Sequence, residues 1–134
     1  MMKRLNNKGY MLVEIILASA LAFGLAYFLL ELTIKLKNKN DDLLVKTFVS
    51  TDQAIIANTI MRDLYTTSDV DCSSIDFTDN IFTYKGTKFI LSQYTIVDSE
   101  KLKCSYDDGV ITINIPIKGK LSDENFNLEL MYKK

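Results

Sequence analysis

The chain has 134 residues, no histidine or tryptophan, and a formal net charge of −1 at pH 7. This length suits one ordinary domain, and the near-neutral charge excludes a strong overall field for nucleic acid or acidic substrates. Without histidine, the chain lacks the commonest general base and metal ligand. The sequence shows no nucleophile–base pair, metal-ligand cluster or phosphate-binding loop, so we expect neither an enzyme nor a bound cofactor.

The N-terminus combines a short basic leader with a long apolar segment. Lys3, Arg4 and Lys8 fall within the first nine residues, and from 10 to 30 every residue except Glu14 is apolar or small. In a helix this segment would span about 30 Å, the thickness of a bilayer's hydrocarbon core. Basic residues favour the cytoplasmic side, so we predict a single-pass membrane protein with its N-terminus inside and the rest outside.

Two ordinary interpretations of the apolar segment leave Glu14 unexplained. Ala18-Ser19-Ala20 has the small-x-small pattern of a secretory cleavage site, but the apolar run continues well beyond it. A plain signal anchor fits the length better. A carboxylate near the bilayer centre costs about 2.5–3.5 kcal/mol even on insertion scales, although one close to the headgroups costs less.

The residues before Glu14 provide a third interpretation. Lys8-Gly9-Tyr10-Met11-Leu12-Val13-Glu14 resembles the processing site of type IV prepilins and pseudopilins. The resemblance implies that a prepilin peptidase removes the leader ending at Lys8-Gly9, cutting after Gly9, and methylates Tyr10 as the new N-terminus. Glu14 then stands at the fifth mature position. Other pilin-like subunits would be its partners in a filament at the cell surface, where Glu14 neutralises the new amine of a neighbouring subunit.

The resemblance divides the N-terminal part into a leader, 1–9, and a transmembrane and filament-core helix, 10–34. Three positions depart from the family pattern. Tyr10 stands where phenylalanine or methionine is usual, Met11 replaces a frequent threonine, and Glu31 replaces a frequent proline. These departures favour a minor subunit over the main structural one.

Residues 35–68 are predicted to form an amphipathic helix outside the membrane. Asp52 and Gln53 interrupt its apolar stripe, and the wholly polar stretch 37–42 is compatible with a solvated helix turn, a bend or a break. The apolar positions recur at intervals of three, four or seven, as on one buried helix face. They are Val45, Phe48, Val49, Ile56, Ile60 and Leu64.

Residues 69–134 change to the two-residue period of strands and predict four or five antiparallel strands. Asp107-Asp108-Gly109 predicts a tight hairpin turn, and Pro116 predicts an edge or a bulge. A sheet with one apolar face needs a cover, which the amphipathic helix supplies. The predicted fold class is α+β: a long N-terminal helix, transmembrane in its first half, packed in its second half on a small antiparallel β-sheet.

Two kinds of side chain in the predicted head have chemistry of their own. Cys72 and Cys104 can form one disulfide in an oxidising compartment or remain two buried thiols. A group of carboxylates follows the helix, but its spacing matches no calcium-binding loop, so we expect a solvated acidic loop and no metal site. Its members are Asp69, Asp71, Asp76 and Asp79.

These features together predict a non-catalytic minor subunit of a type IV pilus-like filament or of a competence pseudopilus that serves DNA uptake. Residues 43–134 carry ten basic and thirteen acidic side chains, a net charge of −3, so direct nucleic-acid binding is not expected. A pseudopilin of a type II secretion-like system and a lone membrane-anchored extracytoplasmic binding domain remain alternatives.

Overall fold

The structure, a computed structural model, describes residues 6–122 and 124–133, with side chains described from Gly9 onward. Helix α1 covers Asn6–Thr67 and is followed by short antiparallel strands. The chain divides into two compact units, one ending at Asn40 and one covering Asp41–Lys134. The predicted α+β class, a long N-terminal helix followed by a small antiparallel β-region, is confirmed.

The first unit is helical from Asn6 onward, and its residues from Gly9 to Asn40 are exposed. Leucine is its commonest residue, and two of its hydroxyl side chains hydrogen-bond to the backbone of the same helix. The hydroxyl of Ser19 donates to the backbone carbonyl of Ile16 at 2.9 Å, and Thr33 donates in the same way one turn back. By length and composition, α1 is apolar enough to cross a membrane.

The polar stretch 37–42 lies within α1, so a solvated helical segment is the alternative that the structure supports. Ion pairs between residues four apart occur on both sides of it. Lys35 lies 2.6 Å from Glu31, and Lys46 lies 3.0 Å from Asp42. Such exposed pairs each stabilise a helix by only a few tenths of a kcal/mol, about 0.2–0.5.

The second unit is built around the part of α1 that belongs to it. The helix buries one apolar stripe, and the strands cover that stripe with their own buried residues, among them Phe82, Ile113 and Ile115. Phe48, which the sequence assigns to the stripe, is instead 42% exposed and stacks on Tyr94. The buried helix residues are Val45, Val49, Ile56, Ile60 and Leu64.

Eight strands in the described residues form three separate antiparallel ladders, more and shorter pieces than the four or five predicted. The first ladder has the order β1-β2-β3, the second pairs β4 with β7, and the third has the order β5-β6-β8. The strands are β1 Ile75–Thr78, β2 Ile81–Tyr84, β3 Thr87–Ile90, β4 Thr95–Val97, β5 Lys103–Asp107, β6 Val110–Ile115, β7 Ile117–Gly119 and β8 Leu128–Lys133.

Local chemistry explains where the strands are divided. Pro116 separates β6 from β7 because it cannot donate a ladder hydrogen bond, and its carbonyl accepts instead from the N–H of Asp98 at 3.1 Å. Ile117 consequently pairs with Val97 in the second ladder, while Ile115 pairs with Leu128 in the third. The alternating residues Ile111, Ile113, Ile115 and Ile117 nevertheless all remain buried, as a two-residue period predicts.

Two hairpins turn on residues with positive φ. Asp108 and Gly109 have φ of 47° and 78° between β5 and β6, which confirms the predicted tight turn. Lys85 and Gly86 have φ of 48° and 80° between β2 and β3. Both pairs have the signs of a type I′ turn, the geometry that matches the twist of a two-residue hairpin.

Cys72 and Cys104 form a disulfide, so of the two states open to them the bonded one is present. It joins a 3₁₀ turn, Cys72–Ser74, to strand β5 across a sequence separation of 32 residues. Closing a loop of this length reduces the entropy of the unfolded chain and is worth about 3–4 kcal/mol in the chain-entropy model. The bond therefore connects the segment just before β1 of the first ladder to β5 of the third ladder.

Gly119, at the end of β7, permits a close approach to α1. A Cβ at this position would lie 2.8 Å from Cγ1 of Val45 and 3.2 Å from Cε2 of Phe126. We expect Gly119→Ala to destabilise the head by about 1–3 kcal/mol through overpacking. Urea unfolding of the full chain in detergent, followed by near-UV circular dichroism, measures the change.

Gly24→Ala is the matched control, because nothing lies within 4 Å of the position that its new methyl group would occupy on the exposed helix. It should leave the head's unfolding midpoint unchanged. An unchanged midpoint for Gly119→Ala as well would contradict the prediction. It would show that α1 and β7 can move apart without a measurable loss of stability.

Candidate functional site

Four residues of the segment that resembles a prepilin processing site lie together on one side of α1. Gly9, Tyr10, Val13, Glu14 and Leu17 line one shallow groove along the helix, as residues three and four apart do in an α-helix. Tyr10 is 79% exposed, and Glu14 is also exposed. The expected cleavage position and the carboxylate therefore lie on a common surface.

Gly9 lies near the N-terminal end of the described part of α1. Nothing lies within 4 Å of the position that a Cβ on Gly9 would occupy. The backbone at the expected cleavage position is thus open to approach. The side chain of Lys8 lies outside the described residues.

Glu14 is the only carboxylate or amine side chain between residues 10 and 30. Among the side chains that the structure describes, none donates a hydrogen bond to it or forms an ion pair with it. Ser19, the nearest hydroxyl side chain along the chain, donates to the backbone instead. A carboxylate in this setting offers a negative charge to a cationic group that approaches from outside the described helix.

The head contains a buried carboxylate, Asp52, at a position where the sequence shows only an interruption of the apolar stripe. Asp52 is 4% exposed. Its Oδ2 accepts a hydrogen bond from the hydroxyl of Thr95 and another, at 2.9 Å, from the N–H of Ser92. The adjacent Gln53 donates through Nε2 to the carbonyl of Phe126. The two interrupting residues therefore attach α1 to two separate loops of the head.

A second carboxylate, Asp63, attaches the end of α1 to the β2–β3 hairpin. Its Oδ2 lies 2.5 Å from Nζ of Lys85 and accepts a hydrogen bond from the hydroxyl of Tyr84 at 2.6 Å. The hydrogen bond from Lys85, then the one from Tyr84, hold the pKa of the Asp63 carboxyl below its usual range. Burial, followed by the hydrogen bond to Asp63, raises the pKa of Tyr84, so its phenol stays protonated and donates.

Two carboxylates of the acidic stretch after the helix accept local hydrogen bonds. Asp71 caps the 3₁₀ turn by accepting from the N–H of Ser73 at 3.0 Å, and Asp76 accepts from the hydroxyl of Thr78 at 3.1 Å. Within residues 6–122 and 124–133, no group of three or more potential ligands is arranged to hold a metal ion. Asp71 thus caps a turn, and Asp76 bonds to a neighbouring hydroxyl.

Comparison with known proteins adds no assignment: no protein-family model, curated protein or solved structure matches the chain.

The attachment through Asp52 leads to a stability prediction. Asp52→Ala leaves the N–H of Ser92 and the hydroxyl of Thr95 without their buried acceptor, so we expect a loss of about 2–3 kcal/mol. Asp52→Asn retains an acceptor oxygen and should cost less. Urea unfolding of the full chain measures both changes, with the exposed Asp41→Ala as the control. Equal stability of the alanine variant and the parent would contradict the role given to this carboxylate.

The ion pair at Asp63 leads to a prediction about pH. Because its pKa is lowered in the folded state, Asp63 contributes stability above its unfolded pKa of about 3.8. That contribution is lost as the pH falls through the folded pKa. Asp63→Asn should therefore be less stable than the parent at pH 7, and the gap should narrow below about pH 4.

Unfolding midpoints at pH 7, 5, 4 and 3 test this dependence. Glu129→Gln, at an exposed strand position, controls for the loss of a carboxylate without this pair. A gap between Asp63→Asn and the parent that stays constant over this range would mean that ionisation of Asp63 does not stabilise the head.

Proposed function

We propose that this chain is the precursor of a non-catalytic pilin-like subunit, processed by a prepilin peptidase and assembled through its N-terminal helix into a type IV pilus-like or competence filament. One observation carries the proposal. Glu14 is a lone carboxylate on an apolar helix, one turn beyond Gly9-Tyr10, without a partner among the described side chains. A membrane helix keeps such a group only at a cost, which favours a functional reason for it.

Cleavage after Gly9 supplies the missing partner. It leaves a positively charged amine on Tyr10, and N-methylation preserves that charge. Burying either the amine or the carboxylate alone in an apolar bundle costs much free energy, and burying the two as a pair costs far less. A neighbouring subunit's Glu14 can meet the amine, and the pair then fixes the axial offset between the two helices. The interaction is possible only after the leader has been removed.

The head supports the non-catalytic part of the proposal. Its polar side chains Asp52, Gln53 and Asp63 are engaged in attaching α1 to loops and strands. The departures at Tyr10, Met11 and Glu31 from the prepilin pattern favour a minor subunit. A competence filament is our preferred setting, and a secretion pseudopilus is the nearest alternative.

The N-terminus of the mature protein tests the processing step. We expect protein extracted from its native membrane to begin at N-methylated Tyr10, as read by mass spectrometry of the intact chain and of its N-terminal peptide. An intact Met1, or a start beyond the apolar segment, would contradict the proposal and favour an anchored or secreted binding domain.

Substitution of the carboxylate tests the assembly step separately. Glu14→Ala should retain cleavage and membrane insertion while its incorporation into sheared filaments falls at least tenfold, because the amine loses its counter-charge. Glu31→Ala is the matched control, since Glu31 pairs with Lys35 on the same helix outside the apolar segment. Normal incorporation of Glu14→Ala would remove the role that we give to this residue.

A further inference from the structure

The two-stranded ladder of β4 and β7 has an outer face that is both apolar and basic. Thr95, Ile117 and Gly119 of this ladder are buried, whereas Ile96 and Lys118, which are directly opposite in the register, are exposed. Side chains of one strand alternate between its two faces. The exposed face of the ladder therefore carries Ile96, Lys118 and, beyond the last strand residue, Lys120.

Leu121 extends this face in a conformation that leucine rarely adopts. Its φ is +69°, and it occupies the third position of a turn closed by a hydrogen bond of 3.2 Å from the N–H of Ser122 to the carbonyl of Gly119. Glycine or asparagine is favoured at such a position. The side chain is nevertheless 85% exposed. Neither backbone preference nor burial explains a leucine here, and an outlier of this kind points to function.

The apolar character continues from the ladder onto α1. The N–H of Lys120 donates to the carbonyl of Tyr94 at 2.6 Å, which places the backbone just before Leu121 beside that residue. The ring of Tyr94 stacks on Phe48 with centroids 5.4 Å apart. Leu44, one helical turn before Phe48, is also exposed. We call the surface formed by Leu44, Phe48, Tyr94, Ile96 and Leu121 with Lys118 and Lys120 the ladder face.

Charge indicates what the ladder face would contact. Within the described residues, neither Lys118 nor Lys120 forms an ion pair. Two nearby carboxylates are already engaged, since Asp98 pairs with Lys101 at 2.8 Å and Glu124 with Lys46 at 2.9 Å. Aliphatic side chains, a tyrosine and lysines without an ion pair among the described residues are together typical of proteins that lie in the interface of an anionic bilayer.

We propose that the ladder face docks the head on the surface of an anionic phospholipid bilayer, with Leu121 inserted among the acyl chains and Lys118 and Lys120 on the headgroup phosphates. The inference uses only the membrane anchoring of the proposed function. Phe48 follows the apolar segment by 18 residues, all within α1, which amounts to about 27 Å of helix. Before assembly the docked head would be held at the membrane, and it would leave on joining a filament.

The full chain in lipid nanodiscs provides the test. Co-elution with the discs first establishes that the apolar helix is inserted, and its failure would count against the anchor rather than against docking. Lipids with a paramagnetic label below the headgroup should then broaden the amide resonances of Ile96 and Lys120 in discs of phosphatidylglycerol and phosphatidylcholine. Pure phosphatidylcholine should broaden them less. Tyr106, exposed on the β5–β6 hairpin, is the internal control and should be unaffected.

Leu121→Asn separates a lipid contact from a structural role. Asparagine accepts positive φ more readily than leucine, so the head's thermal midpoint should stay the same or rise, while broadening at Ile96 falls at least threefold. Lys118→Gln and Lys120→Gln should each reduce the docked population about fivefold. Lys133→Gln, on β8 outside the ladder face, is the charge-matched control.

Three results would overturn the proposal: no broadening of the ladder face in anionic discs, equal broadening in neutral discs, or a Leu121→Asn head that unfolds earlier than the parent. A photo-reactive residue at position 121 that crosslinks to a second protein chain and not to lipid would also overturn it, and would assign this face to a subunit contact.

Discussion

The head depends on one contact, the burial of a single apolar helix face against strands that could not fold alone. The ladders contain two or three strands of three to six residues each, and ladders this small are marginal in water without a covering element. Val49, Ile56 and Ile60 are fully buried on the helix side, and Ile113, Ile115 and Ile117 on the strand side. The helix therefore provides the shared packing surface that joins the three short ladders into one core.

Burial alone does not set which strand lies over which helical turn, because apolar contact is not directional. Carboxylates on α1 fix this alignment of the strands with the helical turns. Asp52 holds the loop before β4 through Ser92 and Thr95, and Asp63 holds the β2–β3 hairpin through Tyr84 and Lys85. Hydrogen bonds to a charged acceptor are directional and stronger than neutral ones. The disulfide of Cys72 adds a covalent constraint at the helix exit.

Features encoded by neighbouring residues could be predicted from the sequence, and features set by distant partners could not. The helix stripe, the Asp108-Gly109 turn and the alternating isoleucines each depend on local periodicity or turn chemistry. Asp52 and Gln53 only interrupt the stripe in the sequence, because their partners lie 40 to 73 residues away. The division into three ladders depends on those same distant contacts. The resemblance to a prepilin processing site depends on neighbouring residues alone, whereas the proposed counter-charge of Glu14 would come from another molecule.

The chain thus places polar groups in apolar surroundings in two different ways. In the head, each buried carboxylate has its donors within the same chain, as Asp52 has Thr95, so folding itself offsets the desolvation cost. On the N-terminal helix, Glu14 has no donor among the described side chains. Under the proposed function, the amine of a neighbouring subunit would satisfy this carboxylate only in the filament, and that would bias the equilibrium towards assembly. That difference, more than any feature of the head, is why the proposed function is assigned to the helix.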